Sequence, residues 1–281
     1  MGTPSSTNRY SSNSTTSESS SVESERRDRI LSSKLYFDVH ASKVPLIYSS
    51  SYDIAFLGIE KMHPFDSSKW GRICRFLIAE GLLEQKHIVE PLEAKKEDLL
   101  VVHSESHLDS LKSSSIVSTI VEVEFYAVYP EVPPVAVLPN CLVDKHVLYP
   151  FRKQVGEPFW LLSLQKNGDG LSMLVSGTTT SEYLSRLDGA LKVAAGAFDP
   201  ELIIYNAGTD VLDGDPLGRL KISPDGIAVR DEKVFMFARE RHIPLVMLTS
   251  GGYMKSSAKV IADSITNLAK KSLITMEVYK I

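Results

Sequence analysis

Short apolar runs alternate with helical stripes of apolar residues along the first half of the chain. Two strand-like runs, "VPLIYS" at 44–49 and "LLVVHS" at 99–104, flank a segment with helical periodicity. The apolar residues on one face of this segment are Trp70, Ile73 and Leu77. The pattern predicts a strand–helix–strand unit, which is typical of a sheet wrapped by helices.

The same alternation is clearer in the second half. Two continuous apolar runs have the character of buried strands, "ELIIYNAG" at 201–208 and "LVMLTSGGY" at 245–253. Helical stripes precede, separate and follow them, beginning near Thr179, at Ser223–Pro224 and near Ser256. The alternation predicts an α/β fold, with a parallel sheet flanked by helices.

Two polar residues follow these strands at positions where α/β enzymes place functional groups. Asp210 comes just after the first run, and Tyr253 ends the second, directly after Gly251 and Gly252. The carboxyl ends of parallel strands carry the functional groups of such folds, and an aspartate there is often a metal ligand or a catalytic carboxylate. One carboxylate cannot make a site, so Asp210 needs partners from elsewhere in the chain.

Composition narrows the class of protein. The chain has 281 residues, of which 43% are hydrophobic and 23% charged, enough for a large globular core. Its formal charge of -4 and the lack of a dense basic block argue against direct nucleic-acid binding. No apolar run approaches the length of a membrane span. The two distant cysteines, Cys74 and Cys141, predict free thiols in a reducing, intracellular compartment.

The ends and the middle of the chain lack this regular pattern. Residues 1–29 are rich in serine and threonine and poor in large aliphatic side chains, which predicts a disordered tail. A single domain is expected over 34–274, followed by a short tail at 275–281. The segments at 121–141 and 156–175 show neither a helical face nor a useful length of strand alternation.

Four motifs carry a resemblance to a known family. They are "IEKMHPFDSSKWGRI", "LYPFRKQVG", "IYNAGTDVLDGDPLGRLKISPDGI" and "PLVMLTSGGY". Together they resemble the class IV branch, of the plant type, of the zinc-dependent histone deacetylases. The resemblance extends over 34–156 and from 175 to about 274, apart from an irregular stretch at 124–134.

The resemblance implies an arginase-like α/β fold and a zinc-dependent amidohydrolase that acts on acetyl-lysine in histones or other proteins. In that family two aspartates and a histidine hold the zinc, and a pair of histidines moves protons. Asp210 matches one of the zinc-binding aspartates, and Tyr253 matches the tyrosine that polarises the acetyl carbonyl. Gly251 and Gly252 match the turn that presents this tyrosine. The family also implies a role in chromatin regulation and a nuclear or cytoplasmic location, or both.

The remaining catalytic residues of the family have no counterpart in this chain. They are expected between "FRKQVG" and "SGTTTSEYL", an interval that here contains no histidine, and no two of the seven histidines are adjacent. We therefore expect a shortened form with an internal deletion near 156–176, an incomplete sheet that lacks central strands, and no bound zinc.

Two functional hypotheses follow. The chain is either an enzyme, a zinc-dependent protein-lysine deacetylase that acts on histones and that in this form is predicted to be inactive or strongly impaired, or a non-catalytic regulatory or partner-binding isoform, which includes a product with no function. Family membership belongs to both hypotheses, and only the site separates them. Protein partners are expected under the second.

Two pairs of side chains are alternative metal ligands. Asp144 and His146 have the spacing of two ligands on one side of a strand, but they align with a part of the family that carries no ligand. A solvated pair is the favoured interpretation. His103 and His107 are four residues apart and could bind a metal on a helix, although His103 matches a structural position after a strand.

Four single residues complete the candidates. Glu105 is at most a residue at the rim of the site, and His63 is interpreted as a loop-packing histidine. Asp213 and Asp215 follow Asp210 closely and are interpreted as stabilising a polar loop.

Overall fold

The computed structural model describes residues 14–55, 60, 65–121, 135, 138–155, 174–197 and 199–278. In these residues the helices are α1 (Ser14–Ser32), α2 (Lys69–Ala79), α3 (Lys96–Leu99), α4 (Glu105–Ser110), α5 (Ser114–Val121), α6 (Asn140–Val143), α7 (Tyr149–Val155), α8 (Thr180–Ala197), α9 (Pro224–Glu240) and α10 (Ser257–Lys270). The strands are β1 (Ile203–Asn206) and β2 (Leu245–Leu248). Short turns of 3₁₀ helix lie at Ser50–Tyr52 and Gln85–His87, and a π-helical turn lies at Asp144–Leu148.

The two strands pair in parallel and are joined by α9. Ile203 lies opposite Leu245, and Asn206 lies opposite Leu248. A parallel pair needs a long crossover connection, and here Ser223 begins that helix by accepting a hydrogen bond from the backbone N–H of Gly226 at 3.1 Å. The α/β arrangement predicted for the second half of the chain is therefore confirmed.

The first half differs from its prediction. The run at 99–104 is not a strand: α3 ends at Leu99, turns follow, and α4 begins at Glu105. The side chain of Asp98 accepts a hydrogen bond from the backbone N–H of Lys95 at 2.8 Å, so local capping stabilises a helical turn here. The run at 44–49 forms one isolated parallel bridge, between Ile47 and Val89.

Helix α1 differs from the tail expected at 1–29. Residues 14–29 belong to this helix, while residues 1–13 lie outside the described residues. Near its end, Arg29 lies 3.6 Å from Glu25 one turn earlier and donates to the carbonyl of Leu100 at 3.2 Å. The prediction of a disordered tail used amino-acid composition, which does not predict such contacts, one within the helix and one to a distant part of the chain.

The core forms where α2 packs against α10. Buried apolar residues from both helices and from the segments that flank α2 make one cluster: Val44, Ile73, Cys74, Leu77, Leu83, Ile88, Ala258, Ile261 and Ala262. A second cluster of buried apolar residues joins the loop after β1 to α9 and α10: Leu212, Ile222, Ile227 and Val260. Among the described helices, none has the length and apolar character of a membrane span.

Helix α8 contributes little to this core. None of its residues with a described side chain is buried, and Val193 is 63% exposed. Tyr183 packs against the second cluster, and Lys233 of α9 reaches Asp188 at 2.7 Å. One face of α8 therefore rests on α9, and among the described residues none buries the opposite face.

A buried ionic network joins β1, α9 and α10. The Asp231 carboxylate accepts hydrogen bonds from Arg230, from the hydroxyl of Tyr205 and, at 2.6 Å, from Ser264. Arg230 also donates to the carbonyls of Ala207 and Gly208, at 3.3 and 2.6 Å. Burial raises the pKa of Tyr205, so its hydroxyl keeps the proton that it donates. The network fixes the backbone just before Asp210.

Replacing Asp231 by alanine is expected to destabilise the protein strongly. The change leaves the buried Arg230 guanidinium without its counter-charge, which costs about 3–5 kcal/mol of unfolding free energy. Asp188→Ala, which breaks the solvent-exposed pair with Lys233, is the matched control and should cost less than about 1 kcal/mol. Urea unfolding followed by circular dichroism measures both; equal losses in the two variants would contradict the role of the network.

Candidate functional site

The segments that follow β1 and β2 lie side by side. The backbone N–H of Ala207 donates to the carbonyl of Leu248 at 2.8 Å, and that of Thr209 donates to Gly251 at 3.0 Å. The Thr209 hydroxyl donates to the same Gly251 carbonyl at 3.2 Å. The pairing of the strands thus continues into the loops and places Asp210 beside the two glycines that precede Tyr253.

Glycines leave the space that the Asp210 side chain occupies. A methyl group added to Gly251 would lie 2.7 Å from Asp210 Oδ2, and one added to Gly208 would lie 2.8 Å from Oδ1. On the backbone side, a methyl group on Gly218 would lie 1.5 Å from the Asp210 carbonyl oxygen. A larger residue at 208 or 251 would displace the carboxylate, and one at 218 would collide with the backbone of Asp210, so the three glycines keep Asp210 in this position.

Gly252 is required by both its conformation and its surroundings. Its φ angle is 116°, a region that L-amino acids with a side chain rarely adopt. An added methyl group would also lie 2.0 Å from the hydroxyl oxygen of Thr209. The turn before Tyr253 therefore depends on glycine at this position.

Asp215 organises the loop and fixes the backbone of Tyr253. One of its carboxylate oxygens accepts hydrogen bonds from the backbone N–H groups of Leu217 and Gly218, at 3.0 and 2.9 Å. The other accepts from the N–H of Tyr253 at 2.8 Å. Asp215 is buried, whereas Asp213 is exposed. The loop-stabilising role predicted for Asp215 matches these contacts, and its link to Tyr253 was not foreseen.

Lys69, at the start of α2, places a positive charge at the centre of the site. Its side chain is fully buried, and its ammonium donates to the carbonyls of Ser250 and Gly251, the latter at 3.0 Å. Burial lowers the pKa of Lys69 to about 8, although the carboxylates of Asp210, Asp66 and Asp215 favour the charged form. Sequence reasoning missed this residue, because a lysine is rarely buried and no pattern marks it.

Aromatic rings surround this ammonium and reach Tyr253. Lys69 Nζ lies 4.7 Å from the ring centre of Phe65, and Phe65 meets the ring of Tyr253 edge to face at 6.1 Å. Trp70 donates from its indole N–H to the carbonyl of Thr249 at 3.2 Å. Hydrogen bonds from Lys69 and Trp70 therefore bind the first turn of α2 to the loop after β2, and Phe65, which Lys69 contacts through a cation–π interaction, adds a ring contact with Tyr253.

The described residues do not fit a zinc ion at Asp210. A catalytic zinc has three protein ligands as a rule. Across the part of the chain that the structure describes, no three side chains of histidine, cysteine, aspartate or glutamate lie close enough together to hold a metal. The Asp210 carboxylate instead interacts electrostatically with the ammonium of Lys69. The predicted deletion site lies mostly at 156–173, outside the described residues.

The other candidates lie on separate elements. Asp144 and His146 are in the π-helical turn, where Asp144 binds Arg152 at 2.9 Å. Glu105 is exposed and pairs with Lys96 at 2.5 Å. His63 lies outside the described residues.

The stacked imidazole rings of His103 and His107 lie at the start of α4. Neither of these two histidines takes part in the described hydrogen bonds that organise the loops after β1 and β2.

The chain is similar to proteins of one family. The model of the histone deacetylase domain matches residues 141–269. Histone deacetylase 2 of Arabidopsis thaliana is 49% identical to it over 354 aligned positions, which cover 95% of this chain and 89% of that protein. The chain belongs to the histone deacetylase family. Asp210 and Tyr253 lie in the half of this family member that the domain model matches.

Solved structures support the fold. A crystal structure of a histone deacetylase homologue bound to SAHA is 18% identical, with a TM-score of 0.51 over 82% of this chain and 84% of that chain. A homologue from Aquifex aeolicus gives the same identity and TM-score over 85% and 91% of the two chains. The predicted α/β deacetylase fold of the arginase type is therefore confirmed.

Replacing Lys69 by methionine is expected to loosen the loop at 249–253. The change removes the donor for two carbonyls while keeping an apolar stem of similar length, so the loop loses two of its hydrogen bonds to α2 and keeps the one from Trp70. Hydrogen exchange read by mass spectrometry should show faster exchange of peptides that contain Gly251. Lys259→Met, which breaks exposed ion pairs of α10 with Asp263 and Glu80, is the control and should leave those peptides unchanged. Unchanged exchange in Lys69→Met would refute the attachment.

Proposed function

We propose that this family member is a shortened class IV protein-lysine deacetylase whose catalytic activity is lost or strongly impaired. The observation that carries the proposal is the set of groups around Asp210: glycines, backbone carbonyls and an ammonium group, with no group of three metal-ligating side chains among the described residues. A site of this composition cannot replace the three ligands that catalytic zinc requires.

The length of the alignment supports an internal deletion. It spans 354 positions, whereas 95% of this chain is about 267 residues, so about 87 aligned positions stand opposite gaps in this chain. The family histidines are missing from the interval before α8, and no histidine occurs anywhere in residues 147–241. A deletion near 156–176 accounts for both facts.

The chemistry of the reaction explains why such a loss is severe. Hydrolysis of acetyl-lysine needs a polarised carbonyl, an activated water and a group that protonates the leaving amine. Tyr253 could supply one hydrogen bond to the carbonyl oxygen. Water activation needs a base that titrates near neutral pH, and the seven histidines of this chain include no adjacent pair. Tyr253 alone therefore gives little rate enhancement.

A partner-binding role is the second candidate. The observation that favours it is the open face of α8, where Val193 is 63% exposed and every residue with a described side chain is at least partly exposed. Apolar helix faces without a covering layer favour association. Under this hypothesis the chain takes up protein partners of the deacetylase. Both candidates include acetylated histones or other acetyl-lysine proteins as the family substrate, chromatin regulation as the process, and the nucleus or cytoplasm as the location.

Purified, untagged protein is expected to show no turnover of an acetyl-lysine histone peptide. Histone deacetylase 2 of Arabidopsis thaliana, prepared in parallel, is the positive control. Tyr253→Phe controls for contaminating activity: in a working site, loss of one donor to the oxyanion costs about 10²–10³ in kcat, whereas here the variant should match the parent.

Metal content completes the test. Zinc that is bound at Asp210 must disappear in Asp210→Asn, so elemental analysis of both proteins identifies the site rather than the total. The proposal fails if zinc is near stoichiometric, is lost in Asp210→Asn, and accompanies turnover that Tyr253→Phe abolishes. Sequencing the transcript across the codons for residues 150–180 tests the deletion itself; a message that encodes the missing histidines would restore the full enzyme.

A further inference from the structure

Two histidines at the start of α4 stack on each other away from the Asp210 site. The ring centres of His103 and His107 lie 5.1 Å apart, with an angle of 29° between the planes. Between them, the side chain of Ser104 accepts a hydrogen bond from the backbone N–H of His107 at 3.2 Å and so fixes the first turn of the helix. The backbone that carries the two rings is therefore set by a local cap.

The ring nitrogens of this pair are available to a ligand. Both side chains are exposed, and neither ring makes a hydrogen bond to any residue that the structure describes. Other histidines differ: the Nδ1 atom of His40 bonds to the hydroxyl of Ser42 at 2.7 Å, and that of His87 bonds to the carbonyl of Ser42 at 2.6 Å. The exposed pair thus keeps its coordinating atoms free within the described part of the chain.

The separation of the rings matches that of two imidazoles on one metal ion. A Zn–N bond is about 2.0–2.1 Å long and the ring centre lies roughly 1.1 Å behind the nitrogen, so at a tetrahedral angle two ring centres are about 5.2 Å apart. The observed 5.1 Å agrees with this separation. Rotation about the side-chain bonds, with no movement of the backbone, is the adjustment that aims the nitrogens at a shared ion.

We propose that His103 and His107 form a metal site for a borderline divalent cation such as Cu²⁺ or Zn²⁺. Imidazole nitrogens prefer these ions to Mg²⁺ and Ca²⁺, and Cu²⁺ ranks first in affinity. The neighbouring carboxylates are already paired, Glu105 with Lys96 at 2.5 Å and Asp109 with Lys112 at 2.6 Å. Water fills the remaining coordination positions, so the ion stays open to solvent.

The test is titration of untagged protein with Cu²⁺, Zn²⁺ and Mg²⁺ by calorimetry at pH 7.5. One Cu²⁺ ion is expected to bind, Zn²⁺ more weakly and Mg²⁺ not at all. His103→Ala and His107→Ala should each weaken Cu²⁺ binding by about tenfold or more, because each removes one of two protein ligands. His40→Ala changes another exposed histidine and should leave the affinity unchanged. Either single variant with the parent affinity would overturn the proposal.

Spectroscopy and size measurement distinguish this site from its alternatives. The electron paramagnetic resonance spectrum of the Cu²⁺ form should show two nitrogen ligands, and one nitrogen in each single variant. Light scattering should find the same mass with and without Cu²⁺; a doubled mass would mean that the ion bridges two chains and would refute a chelate within one chain. Circular dichroism checks that the variants fold.

This site is independent of the proposed loss of deacetylation. Zinc bound at α4 is lost in His107→Ala and kept in Asp210→Asn, whereas zinc bound at Asp210 behaves in the opposite way. The two proposals therefore fail separately.

Discussion

The parallel pairing of β1 with β2 is the constraint on which the candidate site depends. It continues past the strands, so that Thr209 bonds to Gly251, a residue 42 positions later in the chain. At this approach the Asp210 carboxylate lies against Gly251, and Gly252 must take a left-handed backbone conformation. The hydrogen bonds from Arg230, Lys69 and Thr209 stabilise the loops that follow β1 and β2.

Two buried cations, Arg230 and Lys69, donate hydrogen bonds to the loops that follow β1 and β2. Arg230 donates to the carbonyls just before Thr209 and is neutralised by Asp231, which is itself held by Tyr205 and Ser264. Lys69 donates to the carbonyls of the loop after β2. Both cations are buried, so each is compensated by hydrogen bonds and nearby carboxylates. The loops thus keep a defined shape through contacts of the protein alone.

The folded loops around Asp210 and Tyr253 do not by themselves supply the three ligands of a catalytic zinc. The described residues keep the turn that presents Tyr253, and the aspartate beside it, because these belong to the packed half of the molecule around α9, α10 and the two strands. The donors that would complete a zinc site are supplied in the family by another part of the chain. The deletion proposed above would remove those donors and leave the hydrogen bonds of the loops after β1 and β2 in place.

Residue patterns alone predicted the strands and helices in the second half of the chain and the family to which the chain belongs. The apolar runs of β1 and β2, the Ser223 cap and the motif around Asp210 are local signals, since each depends on neighbours a few residues away. The same signals failed at 99–104, where the capping carboxylate of Asp98 stabilises a helical turn instead of a strand. Tertiary structure alone decided the roles of Lys69 and Arg230 and the hydrogen bond from the backbone of Tyr253 to Asp215. Buried charges and the partners of a loop are set by contacts between distant segments, and an amino-acid pattern contains no record of which segments meet.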